Sequence, residues 1–107
     1  MTAIASPERA RALALPALAE PLRWRIVQLL ADEELCVCHL VEELDVSQSL
    51  VSHHLKVLRD AGLVTSERWS YWTYYRLAPH ALRTLATGLN ELAAAAMKRG
   101  VERRPCC

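Results

Sequence analysis

The stretch Asp45-Val46-Ser47 constrains this chain more than any other. Before it, Val37, Leu40, Val41 and Leu44 recur at helical spacing, on a helix beginning near Glu34 or Cys36. After it, "QSLVSHHLKVLRDAG" carries a second apolar stripe: Leu50, Val51, Leu55 and Leu58. Ser47 is a good N-cap for that helix, and Gly62 sits where a C′ glycine belongs. Two helices joined by so short a turn form a helix-turn-helix, the second with a polar outer face.

The flanks fill in the rest. Ser6-Pro7-Glu8 reads as a helix start, and the helix runs to about Ala19, with Pro16 predicting a kink or an early end. Pro21 opens another, with Leu22, Ile26, Leu29 and Leu30 on one face. Beyond Gly62 the period changes. "LVTSERWSYWTYYRL" reads as a β-hairpin turning near Trp69-Ser70-Tyr71. Pro79 restarts a helix to about Arg99, and Leu82, Leu85, Leu89 and Leu92 lie along one side of it like a helix-packing seam. The expected fold is mainly α with a β-hairpin wing, a dimeric winged helix-turn-helix. Residues 1–99 form the domain with flanking dimerisation helices, and residues 100–107 a flexible cysteine-containing tail.

The 107 residues are 52% apolar, yet no apolar run is long enough to cross a membrane. The excess suggests an interface, most simply a homodimer. Net charge is only +1, so any DNA-binding surface must be a local patch. "RARALALPALAE" faintly resembles an export signal, but Pro16 interrupts it and Glu8 sits in its basic region. The expectation is a cytoplasmic protein with reduced thiols, whose cysteines bind metal or act in redox chemistry. No nucleophile–base pairing or phosphate loop suggests an enzyme.

On the helix after Ser47 the outward positions are Gln48, Ser49, Ser52, His53, Lys56 and Arg59. In a helix-turn-helix the N-terminal part of this helix enters the major groove. Gln48, Ser49, Ser52 and His53 would then reach base edges, and Lys56 and Arg59 would hold phosphate. A solvated polar face is the plainer reading of this helix alone; the turn before it and the hairpin after it favour DNA. His54 is expected at the core edge, packed or bonded to nearby backbone.

"ELCVCHL" places Cys36 and Cys38 two residues apart, beside His39. The plain reading is two buried thiols acting as small hydrophobes. Thiolates are also soft ligands, suited to arsenite, antimonite, cadmium, lead, zinc and copper(I). In a regular helix two residues apart means about 200° apart. The pair therefore either lies in an irregular entry to the helix or distorts that helix on binding. The helix in question carries the DNA reader, so ligand binding and DNA-competent geometry would compete.

Together "ELCVCHL", "VSQSLVSHHLKVLRDAGLV" and "YYRLAP" resemble the arsenic-responsive repressors of the ArsR/SmtB family, over roughly Pro21 to Pro79. The resemblance implies a homodimeric repressor that leaves double-stranded operator DNA when a thiophilic ion binds. It implies arsenite or antimonite as inducer; cadmium, lead or zinc is the alternative within the fold, and a thiol-redox switch the alternative outside metal sensing. Four departures matter. Some relatives have a third cysteine where this chain has Val41, and some bring cysteines from an N-terminal arm, whereas this sequence has no cysteine before Cys36. The position often held by aspartate is His39, and the last helix lacks the acidic and histidine set of zinc-sensing relatives. A third sulfur would have to come from Cys106 or Cys107, on a tail that spans up to about 25 Å if extended. The wing also departs: glycine and basic residues are common at its tip, whereas this chain has Arg68, a phosphate candidate, then Trp69, Ser70, Tyr71 and Trp72. Trp72, Tyr74 and Tyr75 are expected to pack on the sheet.

Overall fold

Residues 7–100 and 103–106 are described in the computed structural model. Two helices lead, α1 (Pro7–Ala19) and α2 (Pro21–Asp32). The cap expected at Ser6 lies outside the described residues. Pro16 does not end α1, which continues to Ala19. Glu20 separates the pair and caps α2, its carboxylate accepting the Arg23 N–H at 2.8 Å. Pro21 fills the first helical position, where its missing N–H costs nothing.

The next element was not anticipated. The helix expected from Glu34 or Cys36 starts later, as α3 (Val37–Leu44), after a two-residue strand β1 (Leu35–Cys36). The reason lies far along the chain. Leu35 sits opposite Tyr75 and Cys36 opposite Tyr74 in the wing, so long-range pairing takes these residues from the helix. The tight turn follows: Asp45 is left-handed (φ 53°) and donates its N–H to Val41 at 2.9 Å. Helix α4 (Gln48–Asp60) then begins on Ser47, whose hydroxyl accepts the Leu50 N–H at 3.2 Å. It ends in a Schellman motif, with Leu63 bonded back to Leu58 (3.0 Å), Gly62 to Arg59 (2.9 Å) and Gly62 at φ +77°.

The hairpin is β2 (Val64–Trp69) and β3 (Trp72–Leu77), with Ser70 at φ 59° in the two-residue turn. The sheet order is β1-β3-β2, antiparallel throughout. Helix α5 (Pro79–Lys98) packs back on α1. The fold is therefore a winged helix-turn-helix. Its core is Ile26, Leu30, Leu40, Val51, Leu55, Leu58, Leu63 and Val64. Among the described residues no helix is long and apolar enough to cross a membrane.

Two packing expectations change. Leu50, placed inward above, is 39% exposed, while His54 is buried. At 3.6 residues per turn, His54 completes the stripe of Val51, Leu55 and Leu58, and Leu50 lies about 90° off its centre. Trp72, expected to pack on the sheet, is 55% exposed; Tyr74 and Tyr75 are half-buried.

Among the described residues, His54 bonds to side chains rather than to backbone. Its Nδ1 lies 3.0 Å from Arg23 Nη1, and its Nε2 lies 3.8 Å from the Glu20 carboxylate. The same guanidinium donates from Nε to the Ala17 carbonyl at 2.7 Å, so one residue joins the end of α1, the start of α2 and the buried face of α4. Arg23 can only donate, so Nδ1 must accept and the ring is neutral. Burial pushes the His54 pKa down, with the Arg23 and His53 charges adding to it, while Glu20 pulls it up. The unfolded chain thus binds a proton at higher pH than the folded one. Stability is full above about pH 6.5, the unfolded histidine value, and falls as pH drops toward the depressed folded value. Urea midpoints should decline between neutral and mildly acidic pH, and His54→Gln should flatten that decline. An equally steep decline in the variant would show that another group sets it.

Candidate metal centre and helix-turn-helix face

Cys36 has an extended backbone (φ −93°, ψ 171°) and stands at the N-cap of α3, while Cys38 is inside the first turn. The thiols are therefore not splayed as two residues of one regular helix would be. Their sulfurs lie 2.8 Å apart. Of the two arrangements open from the sequence, the irregular helix entry is the one found, and β1 is what makes it irregular.

His39 closes the group. Cys36 and His39 form a capping box, in which the His39 Nδ1 accepts the Cys36 backbone N–H at 3.2 Å. That nitrogen is also 3.3 Å from the Cys36 sulfur, and Nε2 is 4.0 Å away. The ligand atoms of Cys36, Cys38 and His39 all fall within 4.8 Å of one another. The neighbouring ring of Tyr74 lies 6.3 Å from that of His39. No cap signal was read from the sequence, though a side-chain acceptor three residues after the cap position is the usual mark of such a box.

The two thiols are unequal. Burial opposes ionisation of Cys36, but the Cys38 thiol and backbone N–H groups of the first turn donate to it and bring its pKa down. Cys38 is exposed, and its bond to Cys36 holds its proton and pushes its pKa up, with burial and the Cys36 charge adding to that. Of the two, Cys36 is the one favoured to ionise first. A soft cation bound by both sulfurs would displace the thiol protons. Cys106 is exposed and lies outside this group; Cys107 lies outside the described residues.

Beside the sulfurs is a cavity of about 450 Å³, walled by Cys36, Cys38, Val37 and Val41, by Tyr71, Trp72, Thr73 and Tyr75 from the wing, and by Gln48 from α4. The sequence reading missed it, because it joins three elements distant in the chain.

Gln48, Ser49, Ser52, His53, Lys56 and Arg59 are all exposed on α4, and Arg68 is exposed on β2. The Lys56 ammonium is not free: it bonds the Asp60 carboxylate at 2.8 Å, one helical turn on. That bond holds the Asp60 pKa down. Arg68 folds back, its Nε donating to the Ser70 carbonyl at 3.3 Å.

A tight helix-turn-helix, a three-stranded wing and a thiol pair at the start of the supporting helix define a winged helix-turn-helix protein of regulatory type. The chain belongs to the arsR family of bacterial regulatory proteins, whose model matches residues 20–66. It is 38% identical to the arsenical resistance operon repressor of Bacillus subtilis, over 85% of this chain and 84% of that protein. It is 52% identical to the HTH-type transcriptional repressor SmtB of Mycobacterium tuberculosis over 68 residues, 64% of this chain and 50% of that protein. The chain thus spans about half the length of that mycobacterial relative. Among solved structures it is similar to the homodimeric winged helix-turn-helix DNA-binding domain of a possible ArsR-family transcriptional regulator from Mycobacterium bovis. The TM-score is 0.66 at 25% identity, covering 89% of this chain and 88% of that one.

Proposed function

We propose that this chain is a dimeric, DNA-binding transcriptional repressor, not an enzyme, that leaves its operator when trivalent arsenic or antimony binds Cys36 and Cys38. One observation carries the reading: the two sulfurs already meet, 2.8 Å apart, at the entry to the helix that supports α4. Cys36 belongs to three structures at once: the cap of α3, the pairing to β3, and the cavity that Gln48 lines. An ion held there acts on the reading helix and the wing together. A third sulfur for arsenite would come from Cys106 or Cys107. The protein would work in the cytoplasm, where thiols stay reduced.

On DNA, Gln48, Ser49, Ser52 and His53 face base edges, and Lys56, Arg59 and Arg68 face phosphate. Lys56 must exchange Asp60 for phosphate, at little cost because exposed, solvent-screened pairs contribute little. Asp60→Asn should therefore tighten binding a few-fold to all sequences alike, and Lys56→Ala should lower the salt slope by about one. Unchanged affinity and slope in both folded variants would remove Lys56 from the phosphate contacts.

The cadmium, lead or zinc reading rests on His39 as a third ligand. For Nδ1 to bind an ion it must release the Cys36 N–H, opening the capping box. His39→Gln separates the readings, because glutamine keeps the box but lacks the imidazole. Release of a labelled operator by arsenite should survive this change. Release by zinc or cadmium, if wild type shows it, should need at least about ten-fold more ion, judged from what lost ligand support costs. If arsenite fails to release wild-type protein while cadmium, zinc or peroxide succeeds, the arsenic reading is wrong.

A further inference from the structure

The tip of the wing carries three large rings into solvent. Trp69 ends β2, Trp72 begins β3, and Ser70 and Tyr71 make the turn between them. Trp69 and Trp72 stand opposite each other in the register, so their rings share one face of the hairpin. Yet Trp69 is 70% exposed, Trp72 55% and Tyr71 88%. Such a concentration of exposed rings marks an interaction surface rather than a core. Two observations say what meets it. Tyr71 and Trp72 line a cavity with Gln48, the first residue of α4, so the tip stands beside the end of the helix that enters the major groove. Exposed Arg68 and Arg76, one on each strand, flank the rings, and the only acid of the hairpin is Glu67. Cations framing aromatic rings suit a polyanion whose bases offer flat apolar faces. Among the described residues, the exposed Leu89 and Leu92 line a different cavity that the wing does not share.

We propose that Trp69 and Tyr71 form an aromatic wedge that enters the operator's minor groove beside the α4 contact, partly unstacks one base step there and kinks the duplex. The proposal rests on the reading of this chain as an operator-binding repressor. With the start of α4 in the major groove, a hairpin tip beside Gln48 crosses the adjoining phosphates to the next groove. That groove is about 6 Å wide, enough for an aromatic ring to enter edge-on. Trp72, opposite Trp69 and the least exposed of the three rings, braces it from behind. Apolar side chains used in this way kink a duplex by about 20–90° toward the major groove. Pyrimidine–purine steps, TA or CA/TG, unstack most easily. The wedge therefore adds a sequence preference at a position that α4 does not touch.

The test uses the full chain and a duplex that wild type selects from random DNA, with 2-aminopurine placed in turn at each adenine flanking the footprint of α4. Wild type should raise the 2-aminopurine emission at one flanking step per half-site, favour a pyrimidine–purine step there, and bend the duplex in a gel-mobility permutation assay. Trp69→Ala and Tyr71→Ala, both at exposed positions and so no threat to folding, should lose the emission rise and the bend. Each should weaken binding about five-fold or more, as lost stacking does. Each should leave the salt slope unchanged, because an uncharged ring releases no counterion. Trp69→Phe should retain the emission rise. Arg68→Ala should do the reverse of the ring variants, lowering the salt slope by about one while the emission rise persists. Wild type that binds its selected duplex without unstacking or bending it overturns the wedge and leaves the repressor reading intact. So do alanine variants that bind, unstack and bend like wild type. Alanine variants that become monomers by light scattering assign the tip to a contact between copies, which also overturns the wedge. A wild-type chain that selects no duplex overturns both readings.

Discussion

Cys36→Ser and Cys38→Ser proteins are expected to fold and bind operator, yet stay bound at arsenite concentrations that release the wild type. Folding should survive for a local reason. Cys36 caps α3, and serine is among the best N-cap residues, so the capping box with His39 is preserved. Cys38 is exposed and supports no core contact. Release is another matter. Taking a repressor from almost fully bound to almost fully free needs about 5.5 kcal/mol of differential affinity. Removing a ligating sulfur should cost more than the roughly 10–100-fold lost when only a group supporting a ligand is removed. The arsenite midpoint for release of labelled operator should move by at least that much. By linkage, saturating operator should weaken arsenite binding to wild type by the same factor that arsenite weakens operator binding. A serine variant that responds at wild-type arsenite concentrations would remove that cysteine from the ligand set.

The geometry also changes how release is understood. From spacing alone, bringing both sulfurs to one ion seemed able to require unwinding of α3. With Cys36 held extended by β3, that unwinding is already built in. What remains for the ligand to do is local. It would come between the sulfurs and separate atoms now 2.8 Å apart. It does so at a residue bonded to the wing on one side and capping α3 on the other. In this reading a small displacement has two routes to the DNA face, through the wing and through the turn before Ser47.

Local signals in the sequence were enough for most of the fold. The Ser47 cap, the Gly62 stop, Pro21 and Pro79 each act within one helical turn, and all four helix boundaries stand where those residues put them. The misses share a different physics. The strand at Leu35–Cys36 exists only because Tyr74 and Tyr75 lie opposite it, almost forty positions on. His54 replaces Leu50 in the buried stripe because Arg23, on another helix, gives its ring nitrogen a partner. Buried polar groups need such partners, and a single stretch of sequence does not reveal them. The thiol site was half legible. Cys36 and Cys38 were singled out by their chemistry, but the sulfur–sulfur contact, the place of His39 beside it and the cavity depend on the same long-range pairing.

Leu89→Glu is expected to leave a folded monomer that binds operator on the order of 10²–10⁴-fold more weakly, the range lost when two linked binding units become one. The seam expected on the last helix divides in the structure. Leu82 and Leu85 face the core, whereas Leu89 is 49% and Leu92 70% exposed. Leu13 and Leu15 of α1 are about as exposed, at 50% and 46%. Together α1 and α5 frame a mostly apolar cavity of about 460 Å³ lined by Ala12, Leu15, Leu85, Gly88, Leu89 and Leu92, with Glu91 beside them. A second copy of the chain presenting the same helices would bury these leucines, as closed two-fold interfaces do. A carboxylate at position 89 would face its own symmetry mate or that apolar surface, without a partner for its charge. Nothing in the monomer core depends on this side chain, so the thermal transition of the isolated fold should persist. Light scattering should report one chain, and operator carrying two half-sites should be bound no better than a single half-site. A Leu89→Glu protein that remains dimeric and retains wild-type operator affinity would move the interface away from α1 and α5.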